Sequence, residues 1–469
     1  MIHEGFDPDF PPGTDEQIAS LKAKGSPAPA DGIRDLRQLL WSSIDNDSSR
    51  DLDQIEVAER VDGGIKVLIG IADVDSDVPL HTPIDQHASS QTTTVYTGIR
   101  TFPMLPEELS TDLTSLNEAA DRLSIVIEFI VDSNGCLVDG QIYRALVRNR
   151  AQLTYNGVGP WLENRAPAPA KVAASADLQA QLRLQDEAAT ALRSQRHRLG
   201  ALDFDRVEAE PVVSNSHVEG IAAREPNQAS RLIEDFMIAA NEVMASSLAK
   251  AGVSAIRRVV KDPERWPRIV EIAARYGEHL PPAPDPGALS EFLRKRRAAD
   301  EIHYADLSLS IIKLMGPGEY VLARAGEASP GHFGLAVQNY THSTAPNRRF
   351  SDLVTQRLVK AMWAREKQPY TDDELAAIAR NCTLKEDAAR KVQRSMNKRI
   401  AAVAMRDRVG QTFSGIVTGV TPKGVFVRVL NPPVEGRLVQ GEHGVDVGDR
   451  VNVKLSNTDP ERGYIDFVR

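Results

Sequence analysis

The segment IKVLIGIADV, residues 65–74, follows the turn VDGG and runs almost without a polar side chain. Such a run behind a two-glycine turn reads as the second strand of a hairpin, buried on both of its faces. A strand of that kind needs packed layers on either side, so the chain around it must build a sizeable core. With 469 residues it has the length to do so, corresponding to about three domains. Hydrophobic residues at 42% and charged residues at 26% are ordinary for a globular protein, which excludes disordered and fibrous classes. No apolar run approaches the ~18 residues of a membrane helix, and the opening MIHEGFDPDF lacks the basic and apolar regions of a signal peptide. We therefore expect a cytoplasmic protein that does not engage a membrane. Cys136 and Cys382 lie far apart and outside any CxxC, which argues against a disulfide framework or a zinc ribbon.

Strand signals dominate from Ile44 to about Ile130, after a Pro-, Gly- and Asp-rich opening too short for a large domain. Residues 166–175, APAPAKVAAS, and 281–287, PPAPDPG, read as linkers. Between them, Leu232, Phe236, Ala239, Ala240 and Val243 follow helical spacing, with Gly252 as a stop. Further helices are predicted near Ser351, which is placed to cap one, and at Thr371, where TDDE has the capping-box pattern. After Gly410 come five short strands separated by glycine turns within sixty residues, the signature of a small closed barrel. The fold class is thus α+β: a large mixed α/β domain over 36–410, preceded by a short extension over 1–35 and followed by a five-stranded barrel over 411–469.

The densest chemical signal is SSIDNDSSRDLDQ, where Asp45, Asp47, Asp51 and Asp53 fall within nine residues. Carboxylates so close repel one another, and the remedies are a bound hard cation, protonation or solvation. If a strand includes residues 51–53, Asp51 and Asp53 share one of its faces, and Asp45 can fold back onto them across the Ser-rich turn. Oxygen ligands without histidine favour magnesium or manganese over zinc. An exposed acidic turn whose aspartates cap their own backbone accounts for the cluster equally well. A second polar knot, THSTAPNRRFSDL, sets Arg348 and Arg349 just before a helix, and a helix N-terminus with an arginine fork suits a phosphate. Together the two clusters provide what phosphodiester hydrolysis requires, a cation site and fixed positive charge.

The net charge of -9, from 56 Lys+Arg against 65 Asp+Glu, taken alone argues mildly against a nucleic-acid partner. Its distribution is uneven. Residues 1–80 hold 17 acids and 7 bases, whereas residues 380–408 hold nine bases and three acids. By itself the basic stretch reads as the solvated face of a long helix.

SSIDNDSSRDLDQ, VLIGIADV, VYTGIRTFPMLPEELSTDLTSLNEAADRL, LGALDF, LIEDFMIAAN and HFGLAVQNYTHSTAPNRRFSDL occur in the order in which similar blocks occur in the ribonuclease II (RNB) family. TFSGIVTGVTPKGVFVRVL with GDRVNVKL resembles the S1-type OB-fold that closes those enzymes. The resemblance implies a magnesium-dependent 3′→5′ exoribonuclease, with manganese as an alternative, that degrades single-stranded RNA to nucleoside 5′-monophosphates as a monomer. By motif, Asp45, Asp51 and Asp53 would bind metal, with Asp53 also catalytic, and Arg348 would contact the scissile phosphate. Tyr155, in AQLTY, would lie near the metal. Tyr96 and Phe204 would clamp the terminal bases, stacking being worth ~1–3 kcal/mol per base. Glu234 or Asp235 would touch the terminal nucleotide, and Arg349 would contact RNA. Seen this way, the basic stretch becomes one wall of an RNA path.

Three departures qualify the resemblance. The family motif ends in two adjacent aspartates, but here the run is DLDQ, with Gln54 last. Gln54 offers a carbonyl without charge, so another acid, Asp47 or Asp73, must compensate, or the chain is an RNA-binding protein whose nuclease centre has weakened. Asn347 and Phe350 replace a usual aliphatic residue and a usual tyrosine. Finally, the cold-shock barrels of long members find no room before residue 40, which bears on tolerance of structured RNA.

Overall fold

The computed structural model describes residues 1–204, 208–214, 217–224, 226–327, 330–447 and 449–469. Its first layer is a seven-stranded sheet drawn from the N-terminal third. In chain order the strands are β1 (Arg34–Asp35), β2 (Ser42–Asp45), β3 (Gln54–Val61) and β4 (Gly64–Ala72). A small separate hairpin, β5 (Val95–Tyr96) and β6 (Thr101–Phe102), comes next, and β7 (Asp121–Val131), β8 (Leu137–Arg148) and β9 (Ala151–Thr154) complete the sheet in the order β1-β8-β7-β4-β3-β2-β9. The apolar run is β4, paired with β3 on one side and β7 on the other, and it is buried from Val67 onward. Gly70 leaves room for side chains of the two flanking strands: a Cβ there would lie 2.9 Å from the Ser124 hydroxyl of β7 and 3.0 Å from Ile55 of β3.

Helices cover the sheet. They are α1 (Thr14–Lys24), α2 (Pro83–Gln91), α3 (Tyr155–Leu162), α4 (Ala170–Ala173), α5 (Ala176–Arg198) and α6 (Gln228–Lys250). Leu178, Leu182, Ala188, Ala189 and Leu192 of α5 and Leu232, Phe236, Ala239 and Ala240 of α6 join Ile55, Val67 and Ile69 of the sheet in one core. Residues 166–175 are therefore not a linker. They hold α4, whose Val172 is fully buried in that core, because the following helix runs straight back over the sheet. The opening residues likewise fold onto the domain: Ile18 and Leu21 of α1 are buried in the same core.

The second half begins with a hairpin, β10 (Glu208–Ser214) and β11 (His217–Arg224). Strands β12 (Ala255–Val259) and β13 (Glu319–Ala323) pair antiparallel around α7 (Trp266–Arg275), α8 (Pro286–Ala299) and α9 (Glu301–Met315), which share a core of their own. Then come α10 (Phe350–Ala364) and the long α11 (Asp372–Met405), whose Thr371 and Glu374 make the anticipated capping box. The helix near Ser351 starts one residue earlier, and Ser351 does not cap it. Arg349 occupies the cap position, while the Ser351 hydroxyl donates to the neighbouring Asp352 carboxylate.

Strands β14 (Thr412–Thr421), β15 (Gly424–Leu430), β16 (Pro433–Gln440), β17 (Arg450–Asp459) and β18 (Tyr464–Val468) close into a five-stranded barrel around Val427, Leu438, Val453 and Phe467. Ala402 and Met405 at the end of α11 pack into that barrel core, so helix and barrel are joined by apolar contact. The α+β class is confirmed. Among the described residues no helix is long and apolar enough to cross a membrane.

The sheet is the element on which all else rests. Ile69, fully buried in the middle of β4, is expected to cost about 2–5 kcal/mol of stability when cut back to alanine. Urea unfolding monitored by circular dichroism checks this, and a cost below 1 kcal/mol would contradict the layer arrangement.

Candidate active site

The acidic segment leaves the sheet and returns to it. β2 ends at Asp45, and β3 does not start until Gln54, so Asp51 and Asp53 lie on the approach to the strand rather than within it. What holds them is a set of long-range bonds. The Leu52 N–H donates to the Ser115 hydroxyl at 2.9 Å, the Leu116 N–H donates to the Leu52 carbonyl, and the Ala72 N–H donates to the Asp53 carbonyl. Leu52, 1% exposed, anchors the loop between the two acids. Asp45 is tied locally: its Oδ1 accepts from its neighbour's Asn46 N–H at 2.7 Å and from Ser49 Oγ at 2.8 Å.

The second polar knot closes over this loop. The Asn347 N–H donates to Asp53 Oδ1 at 3.1 Å, and Arg348 Nε lies 3.6 Å from Asp53 Oδ2. Asp53 is buried whereas the Arg348 side chain is 47% exposed, so the arginine keeps a free flank toward solvent. Arg349 points elsewhere, gripped by both oxygens of Asp352 at 2.9 and 2.6 Å. Asp352 also accepts from the Ala345 N–H, which bends 345–350 into the turn that presents Arg348. Thr94 N–H donates to the Arg348 carbonyl and Phe350 N–H to the Thr92 carbonyl. These two bonds bring the β5–β6 hairpin alongside, and its Tyr96 hydroxyl faces the Asp51 carboxylate and the Arg348 guanidinium.

Burial dominates the electrostatics. It pushes the Asp53 carboxyl up to about 7 against the pull of Arg348, with the charge of Asp51 adding to the rise. Asp51 is likewise raised by burial, opposed by Arg348 and reinforced by Asp45. Burial lifts the Tyr96 hydroxyl to about 12, so it remains a donor. These carboxylates carry more negative potential than one arginine offsets.

The parallel pairing of β2 with β9 sets Asp45 opposite Thr154, so Tyr155 at the start of α3 follows directly beside Asp45. Thr154 caps α3 by accepting from the Gly157 N–H, and Asn227, which caps α6, donates to the Tyr155 carbonyl at 3.0 Å. On α6 the two acids part company. Glu234 is exposed, while Asp235 is buried between Arg193 and Arg196 and is structural. Phe204 stands apart from these groups: it packs partly buried against the cluster of Trp266, Phe292 and Phe333.

Of the two suggested compensating acids, Asp73 is engaged by cations and Asp47 is exposed. Asp73 is buried between Arg144, at 3.0 Å, and Lys360, at 2.5 Å. Asp47 accepts from Asn156 Nδ2 at 2.5 Å. Gln54 is buried in β3 opposite Ile71. Asn347 is accommodated in its own way, since its Oδ1 accepts from the buried Thr114 hydroxyl at 2.6 Å.

Two features escaped the sequence reading. The first is Asp352, marked in sequence only by its i,i+3 spacing from Arg349. The second is Glu56, fully buried in β3, neither of whose carboxylate oxygens has a hydrogen-bond partner among the described residues. Burial, reinforced by the charge of Asp45, raises its pKa well above the usual carboxylate range. The visible signal was one acid in the otherwise apolar half of QIEVAERV.

Among the described residues no three His, Cys, Asp or Glu side chains form a ready-made metal cage. The donor set nevertheless fits a hard dication. Magnesium is held through one or two carboxylates, with water and substrate phosphate completing its shell, and Asp51 and Asp53 are adjacent, oxygen-only and short of positive charge.

The chain belongs to the RNB domain family: that domain matches residues 33–365, and the RNase II-type exonuclease C-terminal S1 domain matches residues 411–469. Among its relatives, ribonuclease R of Escherichia coli is 30% identical over 98% of this chain and 60% of its own length. Ribonuclease R 1 of Lactococcus lactis is 30% identical over 93% of the chain and 56% of its own length. The chain thus spans somewhat over half of these relatives. In fold it is similar to Mycoplasma genitalium RNase R, solved in complex with ribose methylated single-stranded RNA, with a TM-score of 0.88, 23% identity, and coverage of all of this chain and 76% of the other.

The raised Asp53 pKa has a sign that can be measured without metal. Between an unfolded value near 4 and about 7, the native state holds a proton that the unfolded chain has released. The stability this group contributes is full below pH ~4 and is lost as pH rises to ~7. Asp53→Asn should remove that slope, making the EDTA-treated variant more stable than the parent above pH 7 by up to about 4 kcal/mol. Thermal melts from pH 4 to 8 check it, and parallel curves for the two proteins would refute it.

Proposed function

We propose that this chain is a 3′→5′ exoribonuclease that hydrolyses single-stranded RNA to nucleoside 5′-monophosphates with magnesium or manganese. The observation that carries this reading is Asp53, buried beside Arg348 within one cluster that also holds Asp45, Asp51 and Tyr96, in a chain of the RNB family. Asp51 and Asp53, with Asp45, would hold the cation, which when bound supplies an activated water and neutralises phosphate charge.

The chain's own groups do the rest. Arg348, fixed at its base by Asp53 and half open to solvent, is positioned to pair with a non-bridging phosphate oxygen, where charge grows as the pentavalent centre forms. Its fork fits that oxygen pair better than a point charge would. Tyr96, 39% exposed on a rigid two-strand hairpin, presents an aromatic edge and face for a terminal base. Glu234, exposed on α6, is available to the 3′-terminal ribose, and selection of RNA over DNA would come from its 2′-hydroxyl. Tyr155, next to Asp45, would face the terminal phosphates. Phe204, partly buried against the Trp266 cluster, would supply the second ring of the base clamp.

Oligoribonucleotides labelled at the 5′ or 3′ end, incubated with magnesium, should yield mononucleotides progressively from the 3′ end, with Asp53→Asn as the blank. Binding without any degradation in magnesium or manganese would instead establish an RNA-binding protein with a weakened centre, traceable to Gln54. Arg348→Lys should lower kcat by about 10²–10³ with little change in KM. An equal loss confined to KM would assign Arg348 to ground-state binding instead.

A further inference from the structure

The hairpin that carries Tyr96 cannot hold itself. Each of its strands has two residues, and so small a pair is marginal in water unless one face packs against something else. Val95 pairs with Phe102 and Tyr96 with Thr101, so the first pair shares one face of the hairpin and the second the other. Tyr96 is turned toward Asp51 and Arg348. The opposite face, made of Val95 and Phe102, is apolar. It joins Val392 and Met396 of α11 and Phe6 in a small cluster of its own, apart from the core of the large domain, and Phe6 is 2% exposed there.

Phe6 lies outside the residues matched by the family domain, 33–365. The segment that carries it is fastened at several points. Lys385 of α11 donates to the Gly5 carbonyl, and its ammonium lies 4.8 Å from the centre of the Phe6 ring, a cation–π contact. The Asp7 N–H donates to Gln91 Oε1 at 3.0 Å, and the Phe10 ring lies 4.3 Å from the ring of the buried His87. His87 and Gln91 belong to α2, and the chain leaving α2 passes through Thr92 and Thr94, the residues bonded to Phe350 and Arg348, into the hairpin. Residues 5–10 therefore press on the apolar side of the hairpin and hold the helix that leads into it. Removing the Phe6 ring would leave a void beside Val95, and a two-residue strand has no further pairs with which to resist moving into it.

We infer that Phe6 is a positioning residue for base recognition: from the far side of the β5–β6 hairpin it sets where the Tyr96 ring stands relative to Asp51 and Arg348. The inference rests on the proposed function for the role of Tyr96 as one ring of the base clamp. Phe6 is buried and cannot reach substrate, so its effect on binding must pass through Tyr96. Substitutions at the two positions are then coupled rather than additive.

The test uses the full chain and a short oligoribonucleotide whose 3′-terminal base is 2-aminopurine, a fluorophore quenched by stacking, bound in EDTA. Phe6→Ala should weaken binding about three- to tenfold, part of the value of one stacked base, and recover much of the fluorescence that the parent quenches. Phe6→Leu, which refills most of the volume, should bring both back toward the parent. Lys385→Ala, which leaves the ring in place but removes its cation, should give a smaller loss in the same direction. In a Tyr96→Ala background, Phe6→Ala should cost less than about twofold further. Without RNA, amide hydrogen exchange in Phe6→Ala should rise over residues 92–103 and stay as in the parent over α5 and α6. Equal losses in the parent and Tyr96→Ala backgrounds, or unchanged exchange over 92–103, would overturn the inference. Tyr96→Ala binding as tightly as the parent would count against the proposed base clamp, whereas the exchange measurement judges the support that Phe6 gives the hairpin.

Discussion

The bond from the Asn347 N–H to Asp53, with Arg348 alongside, joins two points 294 residues apart in sequence. Most of the structure serves to make that meeting possible. A buried carboxylate costs free energy unless its charge is compensated, and here the compensation is incomplete by construction. One backbone donor and one half-exposed arginine face Asp53, while Asp51 and Asp45 add like charge. The sheet and its helices tolerate this local deficit because the surrounding core is large and apolar. An under-neutralised, oxygen-lined pocket beside a partly free guanidinium is the electrostatic state that a dication and a phosphate would together relieve.

The arginines divide the labour by partner. Arg349 is spent on Asp352 with a bidentate grip, and Asp352 in turn fixes the backbone of 345–350. Arg348, one residue earlier, meets the edge of Asp53 and faces the Tyr96 hydroxyl. Adjacent residues of the same type thus become a structural brace and a half-exposed guanidinium beside Asp53, because the turn sends their side chains in different directions. Asp235 and Glu234 repeat the pattern on α6, one locked between two arginines and the other left in solvent.

Helix α11 connects the parts of the molecule. Its N-terminal half packs into the core of the large domain through Leu375, Ala379 and Cys382, its middle supports the Tyr96 hairpin, and its end enters the barrel core through Ala402 and Met405.

How much of this was legible in the sequence depends on the range of the interactions involved. The hairpin around VDGG, the capping box at Thr371, the helix over 228–250 and the five barrel strands follow from local periodicity, turn chemistry and capping, and were readable directly. The order of motifs identified the family, and the acid cluster and Arg348 were visible as residue types in a pattern. What local rules left open was settled by contacts between distant segments. Residues 166–175 looked like a linker by composition but fold into the core, because the value of burying Val172 is set by a sheet built elsewhere. Ser351 looked like a cap, yet the turn held by Asp352 moved that position to Arg349. Asp73 looked available and is occupied by Arg144 and Lys360, neither of them near in sequence. The sequence by itself determined which elements form and which chemical groups the chain carries, since propensity and pattern act over a few residues. Only the tertiary structure decided which of those groups are buried, paired or left free, because burial and charge compensation depend on everything that packs around them.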